Sequence, residues 1–135
     1  MIMRKTIVKR IGPQVQVFLH RRKFRRGLNF FVSPELELAR ALGVGEFFEL
    51  EGWDGVAQVV RLYQTTFDRL PAEVYDYHHD PACRSYEGLK RVLEEVIRGG
   101  GDDEDHFSLT DDVIVVAVGF YLYKRYRFQQ LLKDG

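Results

Sequence analysis

The strongest chemical bias in this chain lies in 20-HRRKFRRGLNFF-31, where six of the first seven residues can carry positive charge and phenylalanines are interleaved with them. Closely spaced cations attract phosphate, and flat rings attract unstacked bases, so single-stranded nucleic acid is the polymer that uses both. A duplex needs the cations but has little use for exposed phenylalanines, whose rings would have to wedge between base pairs. If residues 15 to 22 and 26 to 32 form paired strands, the even positions Gln16, Phe18, His20, Arg22, Phe24, Arg26, Leu28 and Phe30 share one face, while Val15, Val17 and Leu19 point to the core. That pattern predicts phosphate contacts from Arg21, Arg22, Lys23, Arg25 and Arg26, assisted by His20, and base stacking on Phe18, Phe24 and Phe30. The plainer alternative is a solvated basic hairpin whose rings tuck into the core, or which pairs with the chain's own acidic middle.

A second mixture of rings and cations, 121-YLYKRYRF-128, lies near the other end of the chain. On a helix Tyr123, Tyr126 and Arg127 would lie near one surface, and Tyr126 and Arg127 join the candidate nucleic-acid contacts. Trp53, at a hairpin tip, either stacks as well or folds back onto Phe47 or Phe48. The segment 75-YDYHHDPAC-83 holds His78, His79, Asp80 and Cys83, which with His106 or Asp76 have the donor atoms of a zinc or nuclease-type site. Their spacing matches no established ligand pattern, since adjacent histidines rarely reach one ion and no Cys-x-x-Cys accompanies them, so no metal is expected. Neither a nucleophile elbow nor a phosphate-binding glycine loop is present, and 99-GGGDDEDH-106 is too acidic to cradle phosphate. The expectation is a protein without catalytic residues or cofactor.

Charge along the chain supports a polyanionic partner. Residues 1 to 33 carry nine Lys or Arg and no acid, residues 34 to 112 balance at −12, and residues 113 to 135 return to +3, so the formal net charge of zero conceals strong polarisation. The length of 135 residues fits one domain, 1–135, able to bury its own core. The single cysteine, Cys83, rules out an internal disulfide. The start of the chain lacks a signal-peptide pattern because Arg4, Lys5, Lys9 and Arg10 break its apolar runs, which points to a cytoplasmic location. The longest apolar run, 113-VIVVAVGFYLY-123, is far short of the roughly 20 residues a bilayer requires. Asn29 is the only asparagine among many Arg, Glu and Asp, a thermophile-like composition that favours an archaeal or bacterial source.

These residues need elements to position them. The β-branched stretch 5–11 predicts a strand, followed by strands at 15–20 and 28–32 flanking the basic turn. Ser33 as N-cap, Pro34 at the first helical position and Gly43 after the end predict a helix. Two strands, 46–52 and 55–63, are joined across 53-WDG-55, where Asp-Gly signals a hairpin. A short helix over 65–78, interrupted or started again at Pro71, precedes an amphipathic helix over 84–98 with Tyr86, Leu89, Val92 or Leu93, and Val96 or Ile97 on its apolar side. Thr110 as cap, Asp111 and Asp112 in a first turn and Lys124, Arg125 and Arg127 in later turns predict a long hydrophobic C-terminal helix. Its apolar residues run nearly all round, so it is expected to be central or shared with a second subunit in a homodimer. The fold class is α+β: a small antiparallel sheet of four to five strands covered by three to four helices.

Two families share features with this chain. The stretch 30-FFVSPELELARALGVGEFFEL-50 resembles the AbrB-like DNA-binding half-motif, in which a strand enters a short Pro-started helix and then an acidic strand. Gly45-Glu46 stands where that pattern has Gly-Asp, and the basic hairpin before it is longer. The whole-chain layout of a small sheet, several helices, a basic aromatic surface and an apolar C-terminal segment is similar to the ThermoDBP group of archaeal single-strand-binding proteins. Both resemblances imply nucleic acid, duplex in the first case and single-stranded in the second. The expected function is thus binding of single-stranded DNA or RNA, against AbrB-like duplex regulation or a subunit docking on an acidic protein.

Overall fold

The computed structural model describes residues 8–10, 24–50, 55–98 and 109–134. Its centre is a five-stranded sheet: β1 (Val8–Arg10), β2 (Asn29–Ser33), β3 (Phe47–Glu49), β4 (Gly55–Thr66) and β5 (Ile114–Lys124), in the order β1-β3-β4-β5-β2. The pairs β3–β4, β4–β5 and β2–β5 are antiparallel, and the short β1 adds to β3 in parallel. The helices are α1 (Leu38–Ala41), α2 (Ala72–Asp76), α3 (Tyr86–Arg98) and α4 (Arg125–Asp134), with 3-10 turns at Phe67–Arg69 and Pro81–Cys83. The α+β class holds, and the antiparallel sheet accounts for four of the strands.

Residues 114–124 form the central strand β5 and not the expected helix. The run is apolar all round because β5 is buried on both faces, and a strand buried twice shows no period of two. Its β-branched residues Ile114, Val115, Val116 and Val118 suit a pleated backbone. Thr110 caps no helix: its carbonyl accepts from Val113 N–H at 3.2 Å and its hydroxyl bonds Asp112 at 2.6 Å, forming a turn ahead of the strand. Helix begins only at Arg125, so the proposed shared apolar helix is replaced by a strand within this chain's own core.

The strand's odd and even residues build separate cores. On one face Val116, Val118 and Phe120 meet Phe31, Phe48, Ala57 and Val59, covered by Leu38 and Leu42 at α1. Phe31, Phe48 and Phe120 pack edge to face, with centroids 5.7 to 6.4 Å apart. On the other face Val115 and Ala117 meet Phe30, Val32, Phe67 and Val74, covered by Leu89, Val92 and Leu93 of α3. A bulge at Val60 shifts the alternation of β4, so that Ala57 and Val59 before it, and Leu62 after it, pack on the first face.

Other elements are shorter than their signals suggest. Ser33 ends β2 and its hydroxyl accepts from Glu35 N–H at 3.1 Å, so Ser33 caps a turn, and α1 follows only at Leu38. Of the helix expected over 65–78, Thr65 and Thr66 end β4, Phe67–Arg69 is a 3-10 turn and α2 occupies only Ala72–Asp76 after Pro71, while the amphipathic α3 forms as expected with Leu89, Val92 and Leu93 buried and Tyr86 exposed. The predicted strand at 15–20, the tip with Trp53 and the acidic loop 99–106 lie outside the described residues.

Gly119 of β5 sits under Phe30: a Cβ there would lie 2.8 Å from the Phe30 ring and 2.9 Å from Arg61 Cβ. Gly119→Ala is therefore expected to destabilise the fold by about 1–3 kcal/mol, as overpacked cores do, measured by urea unfolding. Phe120→Ala, which empties the centre of the aromatic cluster, should cost about 3–5 kcal/mol in the same measurement.

Candidate functional site

The described part of the basic segment, Phe24 to Leu28, is held by one side chain. Asn29, the first residue of β2, is fully buried. Its Oδ1 accepts from Arg25 N–H at 2.8 Å, and its Nδ2 donates to the carbonyls of Arg25 at 3.0 Å and Gly27 at 3.3 Å. A neutral amide suits this position, because it offers an acceptor and two donors at once. Gly27 takes a φ of 80°, a left-handed conformation that side chains resist, which lets the loop close. The guanidinium of Arg25 donates from Nη1 to the Leu28 carbonyl at 3.1 Å and lies over the Tyr77 ring, 4.8 Å from its centroid. Arg26 is exposed.

Tyr77 reaches this loop through an isolated parallel bridge between Phe30 and His78. Phe30 N–H donates to the Tyr77 carbonyl at 2.9 Å, and His79 N–H donates to the Phe30 carbonyl at 3.0 Å. The chain after α2 is thereby added to the outer edge of β2. Arg84 holds it from the other side, its Nε donating to the His78 carbonyl at 3.1 Å.

The rings occupy different places from those expected. Phe30 has no exposed surface and packs in the second core, 6.2 Å from Tyr63, so it offers no face to a base. Its strand pairs with β5, and this pairing turns Phe30 inward over Gly119. Phe24 is half-buried, with its ring 5.6 Å from His79 and 6.1 Å from Phe120, and it anchors the loop to the first core. Phe18, His20, Arg21, Arg22 and Lys23 lie outside the described residues.

Topology does bring the two basic clusters to one end of the sheet. Asn29 pairs with Phe120 in antiparallel register, so the chain running back from Asn29 to Arg25 and forward from Phe120 to Arg127 leaves the sheet at the same end. There Lys124, Arg125, Tyr126 and Arg127 are exposed, Tyr126 at 57%, with the Arg127 guanidinium 6.0 Å from the Tyr126 ring centroid. Tyr123 belongs to β5 and its hydroxyl donates to Gln58 Oε1 at 3.2 Å, while Phe128 roots α4 on Phe47 at 4.9 Å.

The His-rich segment serves the framework. His78 Nδ1 accepts from Asp80 N–H at 3.0 Å, and Asp80 Oδ1 caps the following turn by accepting from Ala82 N–H at 2.9 Å. Cys83 is buried in the second core. Among the described residues no group of three His, Cys, Asp or Glu side chains is arranged to hold a metal ion, and His106 lies outside them. Sequence reasoning missed Tyr77 and Arg84 as companions of Arg25, because a single bridge between distant segments leaves no local pattern.

Burial pushes the pKa of His78 well below its ordinary 6.5, and the neighbouring His79 and Arg84 push it further down. The folded state thus disfavours protonation more than the unfolded chain does. Its contribution to stability is intact above pH 6.5 and is lost as the pH falls below that value. Melting temperatures taken from pH 8 to 5 should drop below pH 6.5, and His78→Gln should flatten that part of the curve. Asn29→Asp, which replaces two donations with a buried charge facing carbonyls, should destabilise the protein by about 1–3 kcal/mol or more in urea unfolding.

No family model matches the chain and no curated protein sequence matches it, so neither the AbrB-like nor the ThermoDBP resemblance gains support. Among solved structures the chain is similar to an ASCH domain from Lactobacillus crispatus, with a TM-score of 0.51 and 13% identity, over 80% of this chain and 70% of that one. At that identity the likeness is one of fold: this α+β chain folds in the manner of an ASCH domain.

Proposed function

We propose that this protein binds nucleic acid without catalysing a reaction, and that it prefers single strands. The observation that carries the reading is the register of β2 on β5, through which basic residues distant in sequence, Arg25 and Arg26 on one side and Lys124, Arg125 and Arg127 on the other, emerge at one end of the sheet. Five cations gather at one end, where the described acid in register is Glu49 of β3, and a local excess of positive charge attracts phosphate whatever the net charge of the chain. The basic run Arg21, Arg22 and Lys23 continues the same segment in sequence. Exposed tyrosines among the cations favour unpaired bases over duplex, since bases in a duplex are already stacked. In this reading the protein is cytoplasmic and needs no cofactor.

Exposed Leu131 and Leu132 on α4, at 46% and 47%, favour a second reading in which that helix meets a protein partner or another copy of the chain. Fluorescence anisotropy separates the two. Labelled single-stranded RNA, single-stranded DNA and duplex DNA would each be titrated across a salt series. The expected result is salt-sensitive binding to single strands that exceeds duplex binding, with Arg26→Ala reducing the salt slope by about 0.7 for one lost phosphate contact. Absence of binding to all of them at low salt would overturn the proposal and favour the protein partner. Equal or tighter duplex binding would overturn the strand preference.

A further inference from the structure

We propose that Tyr77 is a base-stacking platform of this surface, with Arg25 aligned over its ring and Arg26 and Arg84 set to meet the flanking phosphates of an unpaired nucleotide. The inference rests on the reading of the surface as a single-strand interface, and it moves the stacking role from Phe24 and Phe30 to a residue of the chain's second half.

A stacking platform needs an exposed ring, a fixed backbone and cations beside it. Phe30 fails the first requirement and Phe24 is half-buried against His79 and Phe120. Tyr86 is 38% exposed, but its hydroxyl bonds Asp111 and Asp68 is near, an environment that repels phosphate. Tyr77 meets all three. The residue is 38% exposed. Its backbone is tied at both ends, the N–H donating to the Glu73 carbonyl at 3.0 Å and the carbonyl accepting from Phe30 N–H at 2.9 Å.

Cations flank it on separate tethers. The Arg25 main chain is locked by Asn29 and its guanidinium by the Leu28 carbonyl, so the planar group stays 4.8 Å from the Tyr77 centroid without a ligand. Arg84 is exposed and anchored by Nε to the carbonyl of the next residue, His78. Arg26 is exposed on the loop beside Arg25. Asp76 is the acid next to Tyr77 in sequence, and Arg25, Arg26 and Arg84 outweigh it. Because the ring and the guanidinium are already held together, little side-chain entropy remains to be lost when a base arrives.

The test uses the full chain and labelled twelve-nucleotide oligouridine and oligothymidine, each beside an abasic oligonucleotide of equal charge. Tyr77→Ala should weaken binding to the base-containing strands roughly 5- to 150-fold while leaving the salt slope unchanged, and should abolish their advantage over the abasic strand. Tyr77→Phe should bind like the parent, and Tyr126→Ala should lose less than Tyr77→Ala. In the unaltered protein, ultraviolet cross-linking of 4-thiouridine RNA followed by peptide mass spectrometry should label Tyr77, which keeps the test independent of how the variants fold. If Tyr77→Ala retains parental affinity, or the cross-link maps elsewhere, the platform is wrong while salt-sensitive binding still upholds the interface. If the parent binds no strand, both readings fall.

Discussion

Everything in this fold depends on β5 being buried on both faces. Val115, Val116, Ala117, Val118 and Phe120 have no exposed surface, and their alternation supplies both cores from a single strand. The sheet is thereby the middle layer of the molecule, with α1 on one side and α2 and α3 on the other. It also sets the position of the basic loop, because among the described strands β2 pairs in the sheet with β5 alone. Since a register slip of one residue would exchange the two faces, Phe30 and Phe31 are confined to opposite cores and Asn29 to the sheet's end.

How much of this was legible in the sequence depended on the range of the interactions involved. Elements made by local chemistry were readable: the helix restarting at Pro71, the stripe of Leu89, Val92 and Leu93 in α3, and the antiparallel pair β3–β4. The central strand departs from the expected helix because an apolar run without a period fits either element, and because the charge order from Asp111 to Arg127 imitates a helix dipole. In the structure Asp111 and Asp112 belong to a turn before β5, Lys124 ends β5, and Arg125 and Arg127 lie in the first turn of α4. The orientation of Phe30 was lost for a related reason, since alternation shows which residues share a face but not which face a partner strand will cover.

The surface around Arg25 is legible only in part. Basic charge and rings in 20-HRRKFRRGLNFF-31 announced a segment with a chemical purpose, and Arg25 and Arg26 retain that role in the proposed interface. The ring it works with comes from 77 rather than from the segment itself. Asn29, expected within the strand 28–32, proves to be the rigid element, exchanging three hydrogen bonds with the loop while standing as the first residue of β2. A neutral buried amide thus orients a cation that burial alone could not hold.

The bridge between Phe30 and His78 has a further consequence for the chain's solubility. Among the described strands β2 is a border of the sheet, and a border strand of Asn-Phe-Phe-Val-Ser with unpaired amides and carbonyls would be a template for pairing between molecules. By accepting from Phe30 N–H and donating to its carbonyl, the segment Tyr77 to His79 occupies that border at its most apolar point. The same short connection that brings a tyrosine beside Arg25 also takes up the hydrogen bonds that Phe30 on a bare edge would offer to another molecule.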